Sequence, residues 1–114
     1  METINIARQA VEAASDKQAI DIVLLDTRDV CSFADYFVIC SGDSSRQIEA
    51  IRDVIEQMMK KQGIQPHHYE GSTDSGWLLM DYGGIVVHIF APEEREYYQL
   101  DKLWGQANTL VRIQ

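Results

Sequence analysis

Asp81 and His88 are the pair of side chains in this sequence best suited to acid–base chemistry. They lie on either side of two glycines, Gly83 and Gly84, at the junction of two apolar runs. A carboxylate next to an imidazole raises the pKa of the imidazole and can support general acid–base catalysis. The sequence places no third metal ligand, no glycine-rich phosphate loop and no recognisable nucleophile beside them. A structural pairing of Asp81 with His88, diagonally across two strands, is therefore favoured over a catalytic role.

The turn SGDSSR, which begins at Ser41, precedes a helical pattern and is the best candidate for a small-molecule site. Free amides at the start of a helix attract anions. A Gly-Ser turn before a helix is also typical of nucleotidyltransferases, in which the following strand carries two acids that hold metal. Residues 66–70, PHHYE, contain no such acid pair. The turn therefore favours a helix cap at Ser44, and a nucleotide-binding or nucleotidyl-transferring enzyme that uses Ser41–Ser45 is the alternative function.

The remaining metal-ligating residues do not form a site either. His67 and His68 are adjacent on a predicted strand, so their side chains point to opposite faces and do not readily share one metal. Two cysteines, Cys31 and Cys40, are too few for a disulfide scaffold. The sequence predicts neither a metal nor a cofactor.

Composition predicts one domain, residues 1–114, with an acidic surface. The formal charge of −8 comes from 18 acidic and 10 basic residues, and the basic ones form no stripe that could neutralise phosphates. Direct sequence-specific binding to nucleic acid is therefore not expected, and a charged partner should be basic. The amino terminus lacks the apolar segment of a secretory signal, and no apolar run approaches the ~18 residues of a membrane span. These observations predict a cytoplasmic protein with no membrane contact.

The stretch from Trp77 to Phe90 positions the Asp81–His88 pair. Two apolar runs of six residues flank Gly83 and Gly84, which is a strong signal for a β-hairpin with a two-residue turn. That turn fixes the register, which pairs Tyr82 with Ile85, Asp81 with Val86, Met80 with Val87, Leu79 with His88, Leu78 with Ile89 and Trp77 with Phe90.

Alternation sorts these side chains onto two faces. The first hairpin face is wholly apolar or aromatic and should be core: Leu78, Met80, Tyr82, Ile85, Val87 and Ile89. The second hairpin face mixes aromatic and ionisable side chains: Trp77, Leu79, Asp81, Val86, His88 and Phe90. This mixture indicates a docking surface, and the alternative is that a helix covers the second hairpin face.

The other elements follow from hydrophobic periodicity and capping signals. A helix is predicted over residues 3–14, strands over 20–27 and 35–40, a helix from Ser44 to a left-handed stop at Gly63, and an edge strand over 66–70. The strand–helix–strand order predicts that the second and third strands are parallel. After the hairpin, Pro92 begins a helix whose apolar stripe is Tyr97, Leu100, Leu103 and Trp104 and which stops at Gly105. Residues 108–114 give no clear signal.

Several blocks, in this order and spacing, resemble one family. They are ADYFVICSG followed by SSRQ, EG followed by W, DYG followed by VVH, and PEERE followed by LW. Over about residues 20–104 the chain is similar to the ribosomal silencing factor family, RsfS, also called the Iojap family. Gly84 departs from the family pattern, in which a polar residue is usual.

The resemblance implies an α/β fold: a mixed five-stranded sheet with packing helices and a nucleotidyltransferase-like topology without the catalytic acids. It also implies binding to the large ribosomal subunit at ribosomal protein number fourteen, on the face that meets the small subunit. A protein placed there blocks subunit joining and represses translation when nutrients are short. Such a protein acts stoichiometrically and is not an enzyme.

The expected contacts with the ribosomal protein combine the second hairpin face with the start of the last helix. They are Trp77, Leu79, Asp81, His88, Phe90, Glu93 and Glu94. Trp77 is the expected anchor, because desolvated tryptophans dominate interface energies. A third interpretation is an adaptor that forms a homodimer when free, through its hairpin or edge strand.

Overall fold

The computed structural model describes residues 2–103 and 107–113, which form one mixed sheet and its flanking helices. The helices are α1 (Thr3–Asp16), α2 (Ser45–Lys61), α3 (Pro92–Tyr98) and α4 (Leu100–Leu103). The strands are β1 (Ile20–Asp26), β2 (Tyr36–Ser41), β3 (His68–Ser72), β4 (Trp77–Asp81), β5 (Ile85–Phe90) and β6 (Asn108–Ile113). The predicted α/β class is confirmed.

The central hairpin, β4–β5, has the predicted register along its whole length, from Trp77 opposite Phe90 to Asp81 opposite Val86. Tyr82 N donates to Ile85 O at 2.9 Å and closes the turn. Gly83 has a φ of 88°, a conformation that residues with a Cβ rarely adopt. The hairpin is therefore specified by its own turn residues.

The sheet has six strands, in the order β3-β4-β5-β2-β1-β6, so the expected five-stranded sheet is wrong by one strand. The additional strand, β6, comes from the tail that gave no sequence signal, and it pairs antiparallel with β1. Its residues are mostly exposed, so they carry no alternation of apolar and polar side chains. Backbone pairing with β1 creates this strand, and backbone pairing leaves little trace in a sequence.

The chain passes from β2 through α2 to β3, which lies at one edge of the sheet. β3 pairs only with β4 among the described strands, and all five of its residues are exposed, as predicted for an edge strand. The parallel neighbour of β2 is instead β5. β3 has the same direction as β2, because two antiparallel steps through β4 and β5 separate them. The predicted direction is thus confirmed, but the two strands are not adjacent.

Helices α1 and α2 cover one face of the sheet and bury the first hairpin face. The core there includes Val11, Ile22, Val38, Ile51, Met80 and Val87. Ser44 caps α2, with its Oγ accepting from Gln47 N at 3.2 Å. The Gln47 side chain returns to Asp43 N at 2.6 Å, one residue before the cap. Gly63, with a φ of 75°, follows the end of α2 as predicted.

The helix after the hairpin is shorter than predicted. α3 begins with Pro92 at its first position, as expected, but ends at Tyr98. Gln99 adopts a left-handed conformation with a φ of 49°, and α4 begins at Leu100, which is buried. The break leaves Tyr97 80% exposed, so it is not part of a buried stripe. The predictions for Trp104 and Gly105 lie outside the described residues.

Two glycines with the same backbone conformation give a test of the β3–β4 edge. Gly63 (φ 75°) and Gly71 (φ 78°) both lie in the left-handed region, but a Cβ at Gly63 would meet open space and one at Gly71 would overlap the carbonyl oxygen of Trp77. Gly63→Ala should cost about 1–2 kcal/mol of unfolding free energy from backbone strain alone. Gly71→Ala should cost about 1–3 kcal/mol more, because of the overlap. Urea unfolding of both variants measures the difference, and equal losses would contradict the close approach of β3 to β4.

Candidate functional site

The second hairpin face lies on the side of the sheet opposite α1 and α2. A second core cluster forms there: Val23, Leu25, Ala34, Phe37, Ile39, Val86, Phe90 and Leu100. Its described cover consists of the short helices α3 and α4 and the connection from β1 to β2. That connection is held by buried Thr27, whose Oγ1 donates to Ala34 O at 3.0 Å, and it exposes 67% of Phe33. This side of the sheet therefore presents aromatic side chains at the surface.

Four rings at one end of this side form an aromatic cluster: Trp77, His88, Phe90 and Tyr98. Trp77 Nε1 donates a hydrogen bond to His88 Nδ1 at 3.2 Å. The Trp77 ring stacks on Phe90, with centroids 5.1 Å apart, and lies 4.5 Å from the Tyr98 ring. Trp77 is only partly buried. Its indole is thus fixed from behind while part of it remains at the surface.

His88 is a buried, neutral hydrogen-bond acceptor for Trp77. Its exposed fraction is 4%, and burial lowers its pKa from the ordinary 6.5 to about 4. Because Nδ1 accepts the Trp77 proton, the ring proton of His88 is assigned to Nε2. Nε2 has no hydrogen-bond partner among the described residues. The imidazole therefore serves as an apolar ring with one acceptor, packed edge-on against Phe37 at a centroid distance of 5.0 Å.

The predicted pairing of Asp81 with His88 is wrong. Asp81 Oδ1 accepts from Gly83 N at 2.8 Å, so the carboxylate caps the hairpin turn. The turn amide is two residues away in the chain, which makes this contact easier to form than one across the strands. As a result the pKa of His88 is lowered by burial instead of being raised by a carboxylate. Asp81 and His88 therefore do not form an acid–base pair.

The seven predicted contact residues fall into two layers and one helix end. Trp77, Leu79 and Asp81 are partly exposed along β4. His88 and Phe90 are buried behind them, and the exposed fraction of Phe90 is 0%. The structure therefore brings the first three to the surface and places the other two beneath it.

Glu93 and Glu94 occupy the first turn of α3, next to the start of β4. Glu93 is exposed, whereas Glu94 is partly buried with its carboxylate directly over Gly76, where a Cβ would collide with it. Ala91 N donates to Gly76 O at 2.8 Å and holds the start of α3 against the residue before Trp77. The two acids thus lie at the same end of the sheet as the aromatic cluster.

Two residues at this end were missed by sequence reasoning. A shallow groove of about 180 Å³ beside Trp77, here called the Trp77 groove, is lined by Glu70, Gly71, Ser75, Trp77, Leu79 and Tyr98. The sequence pattern favours Tyr97 over Tyr98, because the predicted apolar stripe assumes one continuous helix. The sequence places Glu70 only in a polar edge strand, and its position beside β4 depends on the strand order. The adjacent residues Tyr97 and Tyr98 are the one feature of the sequence that points to an aromatic contact at this position.

The other residues that the sequence singled out for a site form contacts within this chain. Ser41 Oγ accepts from Arg95 Nη1 at 3.0 Å, and Ser44 caps α2. His68 Nε2 lies 3.0 Å from Glu70 Oε1. Over residues 2–103 and 107–113, no group of three or more His, Cys, Asp or Glu side chains is arranged to hold a metal ion. No helix in those ranges has the length and hydropathy needed to cross a membrane.

Comparison with known proteins decides the family. The sequence matches the family described as "Ribosomal silencing factor during starvation" over residues 1–114. This chain belongs to the ribosomal silencing factor family. The ribosomal silencing factor RsfS of Bacillus subtilis is 43% identical over 107 residues, which cover 94% of this chain and 91% of that protein.

Solved structures agree with this membership of the ribosomal silencing factor family. A crystal structure of a Chromobacterium violaceum protein is similar with a TM-score of 0.87 and 35% identity, over 92% of this chain and 88% of that one. A crystal structure of a Bacillus halodurans protein is similar with a TM-score of 0.82 and 36% identity. The match covers 96% of this chain and 99% of that one. The fold of this ribosomal silencing factor family member is therefore shared with them.

Burial of His88 predicts a loss of stability in mild acid. The pKa in the folded state, about 4, lies below the unfolded value of 6.5, so the unfolded state binds more protons between these values. Stability should be fully present above about pH 6.5 and should fall by up to about 1.4 kcal/mol per pH unit below it. Urea unfolding between about pH 7.5 and 5.5, where most carboxylates are still ionised, measures this slope.

The matched control for this prediction is His88→Asn, which keeps an acceptor near the position of Nδ1 but does not titrate. The wild-type protein should lose more free energy of unfolding than the variant over the same pH range. Parallel curves for the two proteins would show that His88 contributes no proton linkage, which would contradict its burial as a neutral ring.

Proposed function

We propose that this protein binds the large ribosomal subunit through ribosomal protein number fourteen and blocks joining of the small subunit. The observation that carries the proposal is the surface-facing, fixed indole of Trp77 in a chain of the ribosomal silencing factor family. Trp side chains held in one conformation bind at a low entropic cost and are common interface hot spots. Trp77 is accordingly the anchor of the interface.

Leu79, which lies opposite His88, and Asp81 extend the contact surface along β4. Both are partly exposed, and they alternate with the buried Leu78 and Met80. His88 and Phe90 do not reach the surface. Their role in the proposal is to seat Trp77 from below, through the Nε1 hydrogen bond and the stacked ring. The contact set predicted from the sequence is thus divided into outer contacts and inner supports.

Charge supports a basic protein partner. The chain carries a formal charge of −8. Glu93 and Glu94 lie at the α3 end of the aromatic cluster and supply carboxylates for Lys or Arg side chains of ribosomal protein number fourteen. Complementary charge of this kind accelerates association and fixes orientation more than it adds affinity. It also argues against direct, sequence-specific binding to ribosomal RNA.

The proposed mechanism is steric occlusion. A body with extents of 32 × 32 × 24 Å that sits on the subunit-joining face prevents the small subunit from reaching it. One bound copy blocks one large subunit, so the protein acts stoichiometrically, without enzyme activity or a cofactor, and lowers translation in the cytoplasm when nutrients are short. The nucleotidyltransferase-like topology stays a prediction of the family resemblance. A homodimer of the free protein, formed through the hairpin or the edge strand, stays a separate prediction from the sequence.

Cosedimentation tests the proposed function directly. The purified protein is mixed with isolated large or small ribosomal subunits, and each mixture is separated on a gradient. We expect binding to the large subunit alone and fewer joined ribosomes when small subunits are added afterwards. Absence of binding to the large subunit, or binding without any effect on joining, would overturn the proposal.

Trp77→Ala should separate binding from folding. Because the indole is partly exposed, we expect its loss to weaken large-subunit binding by about 2 kcal/mol, roughly 30-fold, while the variant still folds. Urea unfolding measures stability on the same samples. Tyr69→Ala is the control, since Tyr69 is an aromatic residue on the edge strand β3 that faces the opposite side of the sheet, where it packs on Tyr82. A Trp77→Ala variant that binds like wild type, or a Tyr69→Ala variant that loses binding equally, would contradict the proposed interface.

A further inference from the structure

We propose that the Trp77 groove receives one arginine side chain of the protein to which this chain binds. The inference rests on the proposed function and names the chemical group that the groove recognises. It assigns roles to Glu70 and Tyr98, which neither the sequence pattern nor the contact set above included.

The size and shape of the Trp77 groove fit one long side chain. Its volume is about 180 Å³, below the roughly 300–1,000 Å³ of sites that enclose small-molecule ligands. The Trp77 and Tyr98 rings meet at its edge with centroids 4.5 Å apart and planes inclined at 46°. Gly71 contributes to the floor without a side chain, because the Trp77 carbonyl oxygen occupies the place of a Cβ. The groove is therefore open and shallow, and the aromatic side chains of Trp77 and Tyr98 form part of its wall.

The charge of the groove selects a cation. Its six described lining residues include one acid, Glu70, and no base. The Glu70 side chain is 65% exposed, and its Oε1 lies 3.0 Å from His68 Nε2. A second carboxylate oxygen is available to a guanidinium that lies along the Trp77 and Tyr98 rings.

Arginine matches this arrangement better than lysine does. A guanidinium is planar, so it stacks on aromatic faces while its edge donates to a carboxylate. An ammonium is a compact, strongly hydrated charge that gains less from a shallow aromatic wall. The Trp77 groove offers both an aromatic wall and a carboxylate, and arginine uses the two together.

The test measures large-subunit binding by cosedimentation with four variants. Glu70→Gln removes the carboxylate charge, Tyr98→Ala removes the ring, and Tyr98→Phe keeps the ring but removes its hydroxyl. Glu12→Gln is the charge control, since Glu12 is exposed on α1, on the other side of the sheet. We expect Glu70→Gln and Tyr98→Ala each to weaken binding about tenfold, as typical for a partly desolvated cation–π or charged contact. Tyr98→Phe and Glu12→Gln should bind like wild type.

A double variant and a competition experiment test whether Glu70 and Tyr98 contact the same arginine. If both residues contact one arginine, the double variant should lose less than the product of the two single losses. N-acetyl-arginine amide should compete with the large subunit more effectively than N-acetyl-lysine amide at equal ionic strength. Equal competition by the two compounds would overturn the assignment of arginine.

Failure of this inference is distinguishable from failure of the proposed function. If wild type binds the large subunit and Glu70→Gln and Tyr98→Ala bind equally well, the groove assignment is wrong and the proposed function stands. If wild type does not bind, both are overturned. Light scattering on the same samples identifies the other occupant: a wild-type dimer that Tyr98→Ala converts to monomer would show that a second copy of this chain fills the groove, and would overturn the assignment. Far-ultraviolet circular dichroism verifies that each variant is folded.

Discussion

The two-residue turn at Gly83 and Gly84 fixes the register of β4 against β5, and the later features of the surface depend on that register. A shift of one residue would move Trp77 and His88 to opposite faces and turn the apolar side of the hairpin away from α1 and α2. The turn is held by the Tyr82–Ile85 hydrogen bond and by the Asp81 carboxylate on Gly83 N. Asp81 therefore has two roles: it is a partly exposed acid at the surface, and it caps the turn.

Burial of His88 converts an ionisable residue into a support for Trp77. Desolvation favours the neutral ring, and the neutral ring offers the Nδ1 acceptor that orients the indole. The cost is a buried Nε2 donor without a partner among the described residues, and an unmet hydrogen bond of this kind destabilises a fold by about 1–3 kcal/mol. The position of Trp77 at the surface thus depends on His88 remaining neutral.

The sheet is unequally covered. α1 and α2 bury one side of it, whereas the described cover on the other side consists of two short helices and a connection between strands. The break at Gln99 matters here, because it ends α3 where Tyr98 packs on Trp77 and lets Leu100 enter the second core cluster. A continuous helix would have placed different side chains on Trp77. The break, together with the edge position of β3, forms the Trp77 groove.

Sequence alone was enough to predict the hairpin, its two faces, the α2 cap at Ser44 and the family. Each of these depends on local spacing or on the order of short sequence blocks. The tertiary structure alone decided that β6 adds a sixth strand and that β5 separates β2 from the edge pair. It also decided that Glu70 and Tyr98 line the same groove beside Trp77. These features depend on contacts between residues distant in the chain, and backbone pairing and helix termination by packing impose little pattern on the residues that form them.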